Sequence, residues 1–253
     1  MNRATFIQLG GYWALESKLI RSALGPQLCT AIVQPIFFLF AFTVGFDGAG
    51  RAGVENYPEF LAVGVIGMTV IHSTAYLLMF RFWVRMVVQK NIDAILVTPV
   101  TPTKLVLFQI LWSASIGIIL SCFPLIILAV LQGGVDMRYA LVVVLILLGA
   151  ITYSALGLLV AISVKNIDSI NYVSTLVFSP MFLLGGVFFP ADNLPGVLVT
   201  LNLANPVYQL LTGARAALAS DYGTWLTSAT FLAITSIIVT TITAWVMALK
   251  QRR

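Results

Sequence analysis

Apolar runs of about twenty residues or more recur along this chain with short polar breaks between them, and a run of that length crosses a bilayer as a helix. They fall at roughly 24–46, 59–80, 105–131, 139–164, 170–188 and 225–249. No water-soluble core of 253 residues could hide so much apolar surface, and the bulk numbers agree: 60% hydrophobic, 9% charged, mean hydropathy +1.00. The spacing predicts an all-α integral membrane protein with six transmembrane helices. An even number of crossings puts both termini on one side.

The charges choose that side. Arg3, Lys18 and Arg21 precede the first span; Arg81, Arg85, Lys90 and Lys104 lie between the second and third; Lys165 follows the fourth; Lys250, Arg252 and Arg253 follow the sixth. Eleven of the 14 basic residues therefore share one face, and only Arg51, Arg138 and Arg215 lie on the other, with Asp47, Glu55, Glu59, Asp136, Asp192 and Asp221. The positive-inside rule makes the first face, with both termini, cytoplasmic. Apart from Glu59 at a boundary the spans carry no formal charge, which argues against a proton relay or ion path through buried carboxylates. The net charge of +5 arises from these flanks and implies no nucleic-acid partner. Cys29 and Cys122 differ in depth by about 20 Å at the helical rise per residue, which argues against a disulfide.

Residues 1–23 have no secretory h-region and no small-residue cleavage site, so the N-terminus is expected to be retained. On a helical wheel Phe6, Leu9, Tyr12, Trp13, Leu15, Leu19 and Ile20 fall in one half-circle, with Arg3, Ser17, Lys18 and Arg21 opposite. This predicts an amphipathic helix lying on the inner membrane surface, ahead of a transmembrane domain at 24–249 and a tail at 250–253. Glu16 alone projects into the apolar arc, where an unpaired carboxylate is costly. Two readings are open: the carboxylate reaches water at a helix end, or it pairs with one of Arg81, Arg85 and Lys90.

Within the spans, Ser113, Gly117 and Ser121, and Ala150 with Ser154, make small-residue stripes at intervals of four that allow close helix packing. Pro35, Pro124 and Pro180 each remove a helical hydrogen bond and are expected to kink their helices. His72, with Thr69, Ser73 and Thr74, sits in mid-span, either as a packed, hydrogen-bonded histidine or as a residue lining a path. Residues 185–219 are too apolar for an aqueous loop and too broken to cross. We expect a break at Gly185-Gly186 and then short re-entrant helices divided at Pro195 and at Asn205-Pro206; a plain extracellular cap is the alternative.

Between the second and third spans lies "QKNIDAILVTPVTPTK", polar and with two prolines. Its Lys90-Asn91-Ile92-Asp93 returns as Lys165-Asn166-Ile167-Asp168 after the fourth span; chance also accounts for a repeat this short. Asn91, Ile92 and Asp93, followed by Ile95 and Leu96, offer an apolar edge to a groove, and Thr98-Pro99 ends the helix. No phosphate-binding glycine loop and no metal-ligand spacing occur, and there is one histidine, so neither nucleotide hydrolysis nor metal chemistry is encoded in these residues. The chain is read as a non-enzyme whose motor is a separate polypeptide.

"QKNIDAILVTPVTP", "DSINYVSTLVFSPMFLLGGVFF" and "LANPVYQLLTGARAAL", in that order among six spans, resemble the membrane subunits of ABC type 2 exporters, in particular bacterial permeases of the nodulation-factor and daunorubicin-resistance kind. The resemblance implies a bacterial inner-membrane export permease working as two copies, with two ATPase subunits that bind the ATP and magnesium. No nucleotide-binding domain follows residue 253, so a half-size permease is expected. It further implies that Gln89 to Thr98, with Lys90, Asn91, Asp93, Ile95 and Leu96, form the main coupling helix to the ATPase, and that Lys165 to Ser169, with Asp168, form a minor one. The substrate class it implies is amphipathic or lipid-linked, entering from the inner leaflet. A scaffold factor and a secondary transporter are the competing functions; the spans show no inverted repeat to favour the latter.

The charge asymmetry makes a direct prediction. Cysteines introduced at Asp47, Asp136 and Asp221 should react with an impermeant reagent on intact cells. Labelling only after lysis would reverse the topology.

Overall fold

The structure, a computed structural model, describes residues 3–21, 57–97 and 100–251, with isolated positions at 33, 37, 38, 40 and 41. The span expected at 24–46, with Cys29 and Pro35, thus falls almost wholly outside the described residues, as do Asp47, Arg51, Glu55, Thr98, Arg252 and Arg253. The elements in order are α1 (Arg3–Arg21), α2 (Tyr57–Val88), α3 (Asn91–Leu96), α4 (Pro102–Leu131), α5 (Met137–Ser163), α6 (Ile167–Leu184), α7 (Gly196–Asn202), α8 (Pro206–Leu218) and α9 (Tyr222–Lys250). No strand occurs among the described residues.

Five of these helices, α2, α4, α5, α6 and α9, are long and apolar enough to cross a membrane. The last four match the expected spans to within four residues at either end. The second does not end at residue 80: α2 runs on to Val88, 32 residues in all. Arg81 and Arg85 mark where the lipid is expected to end, but the backbone bonds that make the helix continue past them. α2 is about 48 Å long at the helical rise, well beyond the roughly 30 Å of hydrocarbon. Its helical bonding widens to π-turns at His72–Tyr76 and Val84–Val88, as it does in α6 at Ser174–Phe178.

Local chemistry sets the helix starts. Thr101 accepts from Lys104 N at 3.4 Å with Pro102 at the first position of α4; Asp136 accepts from Met137 N at the start of α5; Asp221 accepts from Thr224 N at the start of α9. The spans consecutive in sequence from α2 to α6 alternate in direction because the connections between them are short.

α5 is the centre of the bundle and packs against α2, α4, α8 and α9. It can do so because its contact face includes Gly149, Ala150, Ser154, Gly157 and Ala161, all buried. The α4 stripe serves the same packing: a side chain at Gly117 would run into Thr74 and lie 3.4 Å from Ser73 Oγ and 3.6 Å from Ala150 Cβ, while Ser113 donates to Thr74 O at 3.3 Å. The stripes read in the sequence are therefore contacts within the chain. Pro124 lies inside α4 and Pro180 near the start of the last segment of α6. α6 is peripheral, with Tyr172, Leu176 and Leu183 exposed.

Gly157 is the tightest test of this packing. A Cβ there would lie 2.8 Å from Ala75 Cα and 3.0 Å from Ala75 C, backbone atoms that cannot swing away. Gly157→Leu is expected to cost at least the roughly 1–3 kcal/mol of an overpacked core, read as a lowered melting temperature and a loss of monodisperse protein. Gly10→Ala, with nothing within 4 Å, should be neutral or stabilising.

Candidate functional site

Three places collect the polar residues singled out in the sequence, and the first is the basic end of the bundle. Lys250 Nζ donates to Ile162 O at 2.8 Å and lies 3.9 Å from Met86 Sδ, so the C-terminal ends of α9, α5 and α2 meet. α1 lies across the same end. Its Tyr12 and Trp13 rings pack on Phe108 and Trp112 of α4, at 5.8 and 5.7 Å between centroids, and Lys104 Nζ donates to Gln8 Oε1 at 3.1 Å.

Glu16 of α1 is buried between the two arginines of α2. Arg81 Nη2 donates to Glu16 Oε2 at 3.1 Å, and Arg85 Nη1 donates to Glu16 Oε1. Lys90, the third cation considered, is exposed. One turn along α1, burial and then the Glu16 carboxylate hold the Tyr12 phenol well above its ordinary pKa, so it stays neutral. Sequence reasoning missed Tyr12 as a member of this cluster, although its spacing of four from Glu16 places both on one helix face.

The polar turn begins where α2 ends. Lys90 adopts φ +53, the left-handed conformation that lets one helix stop and another start in a new direction, and Asn91 Nδ2 donates to Gln89 Oε1 at 3.1 Å across it. The apolar edge expected to face outward does not all do so. Ile92 is buried in the chain's own core at 1% exposure, and Ile95 is half-buried against it. α3 is thus anchored by the residues that looked free. Gln89, Lys90, Asn91 and Val97 are the exposed ones; of Asp93 and Leu96 only the backbone position, within α3, is described. The second copy of the tetrapeptide also starts a helix. Asn166 is the extended residue before α6, Lys165, Asn166 and Asp168 are exposed, and Asp168 lies in the first turn, where a carboxylate favours the helix dipole. Both copies stand at a helix start, one residue apart in register, since the first helix begins at Asn91 and the second at Ile167.

In mid-span, His72 is exposed on the surface of the bundle, its ring stacked on Tyr76 at 4.9 Å. It lines a cavity of about 190 Å³ between α2 and α6 with Tyr76, Ser179 and Phe182. The stack on Tyr76 and the cavity meet at this one residue. Thr69 turns inward and bonds its own helix at Val65 O, 2.9 Å.

The third place is the break after α6. Gly185 ends the helix, Gly186 takes φ +83, and Pro195 and Asn205 stand immediately before α7 and α8, with Pro206 as the first residue of α8. Side chains from downstream reach back to the end of α6: Asn202 Nδ2 donates to Leu184 O at 2.6 Å, and Asn205 Nδ2 donates at 2.7 Å to Met181 O, which also accepts from Gly185 N at 3.1 Å. Arg215 of α8 donates to Gly186 O at 2.8 Å and Phe60 O at 3.3 Å, with its guanidinium 3.6 Å from the Phe60 ring centroid. Burial pulls its pKa down to about 9, which still leaves it charged at neutral pH. Asn202 and Arg215 were not singled out in the sequence. Among the described residues no group of His, Cys, Asp and Glu could hold a metal ion.

Comparison with known proteins is consistent along most of the chain. Residues 15–219 match the family described as ABC-2 type transporter. Similar relatives include nodulation protein J of Rhizobium leguminosarum bv. trifolii, 27% identical over 192 residues, covering 75% of this chain and 71% of the relative. Another is the inner membrane transport permease YadH of Escherichia coli (strain K12), 26% identical over 216 residues, covering 83% and 82%. Nodulation protein J of Sinorhizobium fredii is 23% identical over 213 residues, covering 84% and 79%.

The geometry predicts which single changes loosen the basic end. Glu16→Gln leaves two guanidiniums without a counter-charge; because Arg81 reaches water, the loss should fall below the roughly 3–5 kcal/mol of a fully buried pair. Glu16→Arg should be worse, and Ile92→Ala should cost about 2–5 kcal/mol. Melting curves of the purified protein should rank them so, with Val97→Ala unchanged. A wild-type curve for Glu16→Gln would remove the ion pair from the account.

Proposed function

The chain belongs to the ABC-2 type transporter family, and on that premise we propose that it is the permease half of an ATP-driven exporter, working as two copies with two ATPase subunits. It lies in the bacterial inner membrane with both termini in the cytoplasm. The observation that carries this reading is the basic end of the bundle, where α3 stands between two long helices with Gln89, Lys90, Asn91 and Val97 exposed. A docking element needs exposed groups on a firm support, and Ile92 supplies the support. α3 is the main contact for the ATPase, through Asp93 and Leu96 together with the exposed turn before it. The turn at Lys165 to Asp168 is the lesser contact, since it is only a helix start with no separate element to grip.

The cargo is amphipathic or lipid-linked. Support comes from spans that carry no formal charge over 60–80, 105–131, 139–163, 169–184 and 222–249, and from relatives that include a transport permease of the inner membrane. It enters from the inner leaflet at the permease surface, where His72 and Tyr76 line a cavity open to the side of the bundle, and leaves past α7 and α8. On this reading the two short helices are re-entrant. α8 can lie at membrane depth because Val207, Leu210, Leu211, Ala214 and Ala217 are buried against the spans. A scaffold without transport would share the bundle but would have no use for a docking turn.

Asp93→Lys and Leu96→Ala should leave expression and melting of the permease intact while weakening ATPase association, substrate-stimulated hydrolysis and export together. A side chain like Leu96 seated in a partner groove contributes on the order of 2–5 kcal/mol. Asp168→Lys should do less. Normal assembly and export by both α3 variants would reduce residues 89–104 to a connecting loop.

A further inference from the structure

The Glu16 cluster has an open side. Between α1, the end of α2 and the start of α3 lies a cavity of about 420 Å³. Its lining mixes the polar residues Arg81, Arg85, Gln89 and Asn91 with the apolar residues Leu15, Phe80, Val84 and Ile95.

The electrostatic balance in this groove is unequal. Two guanidiniums face the single carboxylate of Glu16, which leaves one positive charge uncompensated. Glu16 is only 1% exposed and lies behind the arginines, whereas Arg81 keeps 26% of its side chain accessible. A guanidinium has five N–H donors in a planar fork; each arginine gives Glu16 one of them. The remaining donors suit the oxygens of a phosphate, which arginine binds in a bidentate manner.

Depth favours a lipid phosphate. Arg81 is 24 residues along α2 from Tyr57, about 36 Å at the helical rise, against about 30 Å of hydrocarbon. With ordinary helix tilt that puts the guanidinium at headgroup level. The apolar residues of the groove then border the acyl region, and Leu15 and Phe80 are 44% and 49% exposed. A soluble anion would leave those surfaces idle.

We propose that this groove binds the headgroup of an anionic phospholipid, with Arg81 and Arg85 on the phosphate and Leu15, Phe80 and Val84 along the upper part of the chains. The lipid touches α1, α2 and α3 together and so ties the placement of α3 to the charge of the surrounding leaflet. The site does not depend on the transport reading, because binding is measured without ATPase or cargo.

The test uses the full-length purified protein in neutral detergent and calorimetric titration with dihexanoyl phosphatidylglycerol, dihexanoyl phosphatidylcholine and glycerol phosphate. Phosphatidylglycerol should bind at least about tenfold tighter than either of the others. Arg81→Gln should weaken it about tenfold or more, and Arg81→Lys, which keeps the charge but loses the fork, by less. Since Arg81→Gln also disturbs the Glu16 pair, Leu15→Glu provides an independent arm: it is exposed, outside the ion pair, and should repel the phosphate while leaving the melting curve unchanged. Equal binding of phosphatidylcholine, equal binding of glycerol phosphate, or unaltered phosphatidylglycerol binding by folded Leu15→Glu would each overturn the proposal.

Discussion

A backbone inside hydrocarbon must satisfy its own hydrogen bonds, and most of this architecture follows from that requirement. It forces the apolar runs into helices and leaves the difficult chemistry at the places where helices end. The break after α6 shows how that is met. Breaking a helix strands carbonyls, and here those of Leu184 and Gly186 are bonded by Asn202 and Arg215 from later in the chain, while Asn205 adds a second bond to Met181 O. Those side chains can reach only if α7 and α8 fold back over the end of α6. The polar bonds and the packing of α8 on α5 and α9 therefore specify one arrangement between them.

At the opposite end a different force dominates. Among the described residues α1 is held by aromatic packing against α4, by the Lys104 bond to Gln8 and by the burial of Glu16 between Arg81 and Arg85. A buried ion pair is weak evidence of added stability, because desolvation offsets much of the attraction. Its contribution here is to register. Glu16 cannot slide along α2 without leaving a charge unpaired, so α1 takes one angle across the bundle.

What was legible in the sequence divides along the same physical line. Apolar run length located α4, α5, α6 and α9 closely, since hydrophobic burial and helix length obey the same bilayer. Gly185-Gly186, Pro195 and Asn205-Pro206 were legible as breaks because glycine and proline act on the backbone itself. The extent of α2 was not, because charge signals the lipid boundary and says nothing about where helical bonding stops. The direction of Ile92 was not legible either: in a six-residue helix two apolar residues three apart define a stripe but not whether it faces the parent core or a partner. His72 was open between two readings for a related reason, since a lone polar residue in a span tells nothing about which side its helix presents. Tyr12, Asn202 and Arg215 act through contacts 4 to 155 residues away, and only the shortest has a periodicity to reveal it.

The anchoring of Ile92 also constrains how any force applied at α3 can travel. α3 is joined to α2 by only Gln89 and Lys90, with Lys90 holding a left-handed turn, and it is pinned by a fully buried side chain. Moving α3 alone would pull Ile92 out of a close-packed core, at a cost comparable to deleting it. Moving α3 with the end of α2 keeps that contact. It displaces instead the Val84–Val88 π-turn and, one bilayer leaflet away along the same helix, the His72–Tyr76 π-turn that meets α6 through Tyr76 OH and Ser174 O at 3.4 Å. π-turns of this kind occur as single turns inside α-helices, frequently at functional sites. The cheapest deformation of this bundle therefore runs along α2 to its contact with α6, the span that is least buried in the rest of the fold.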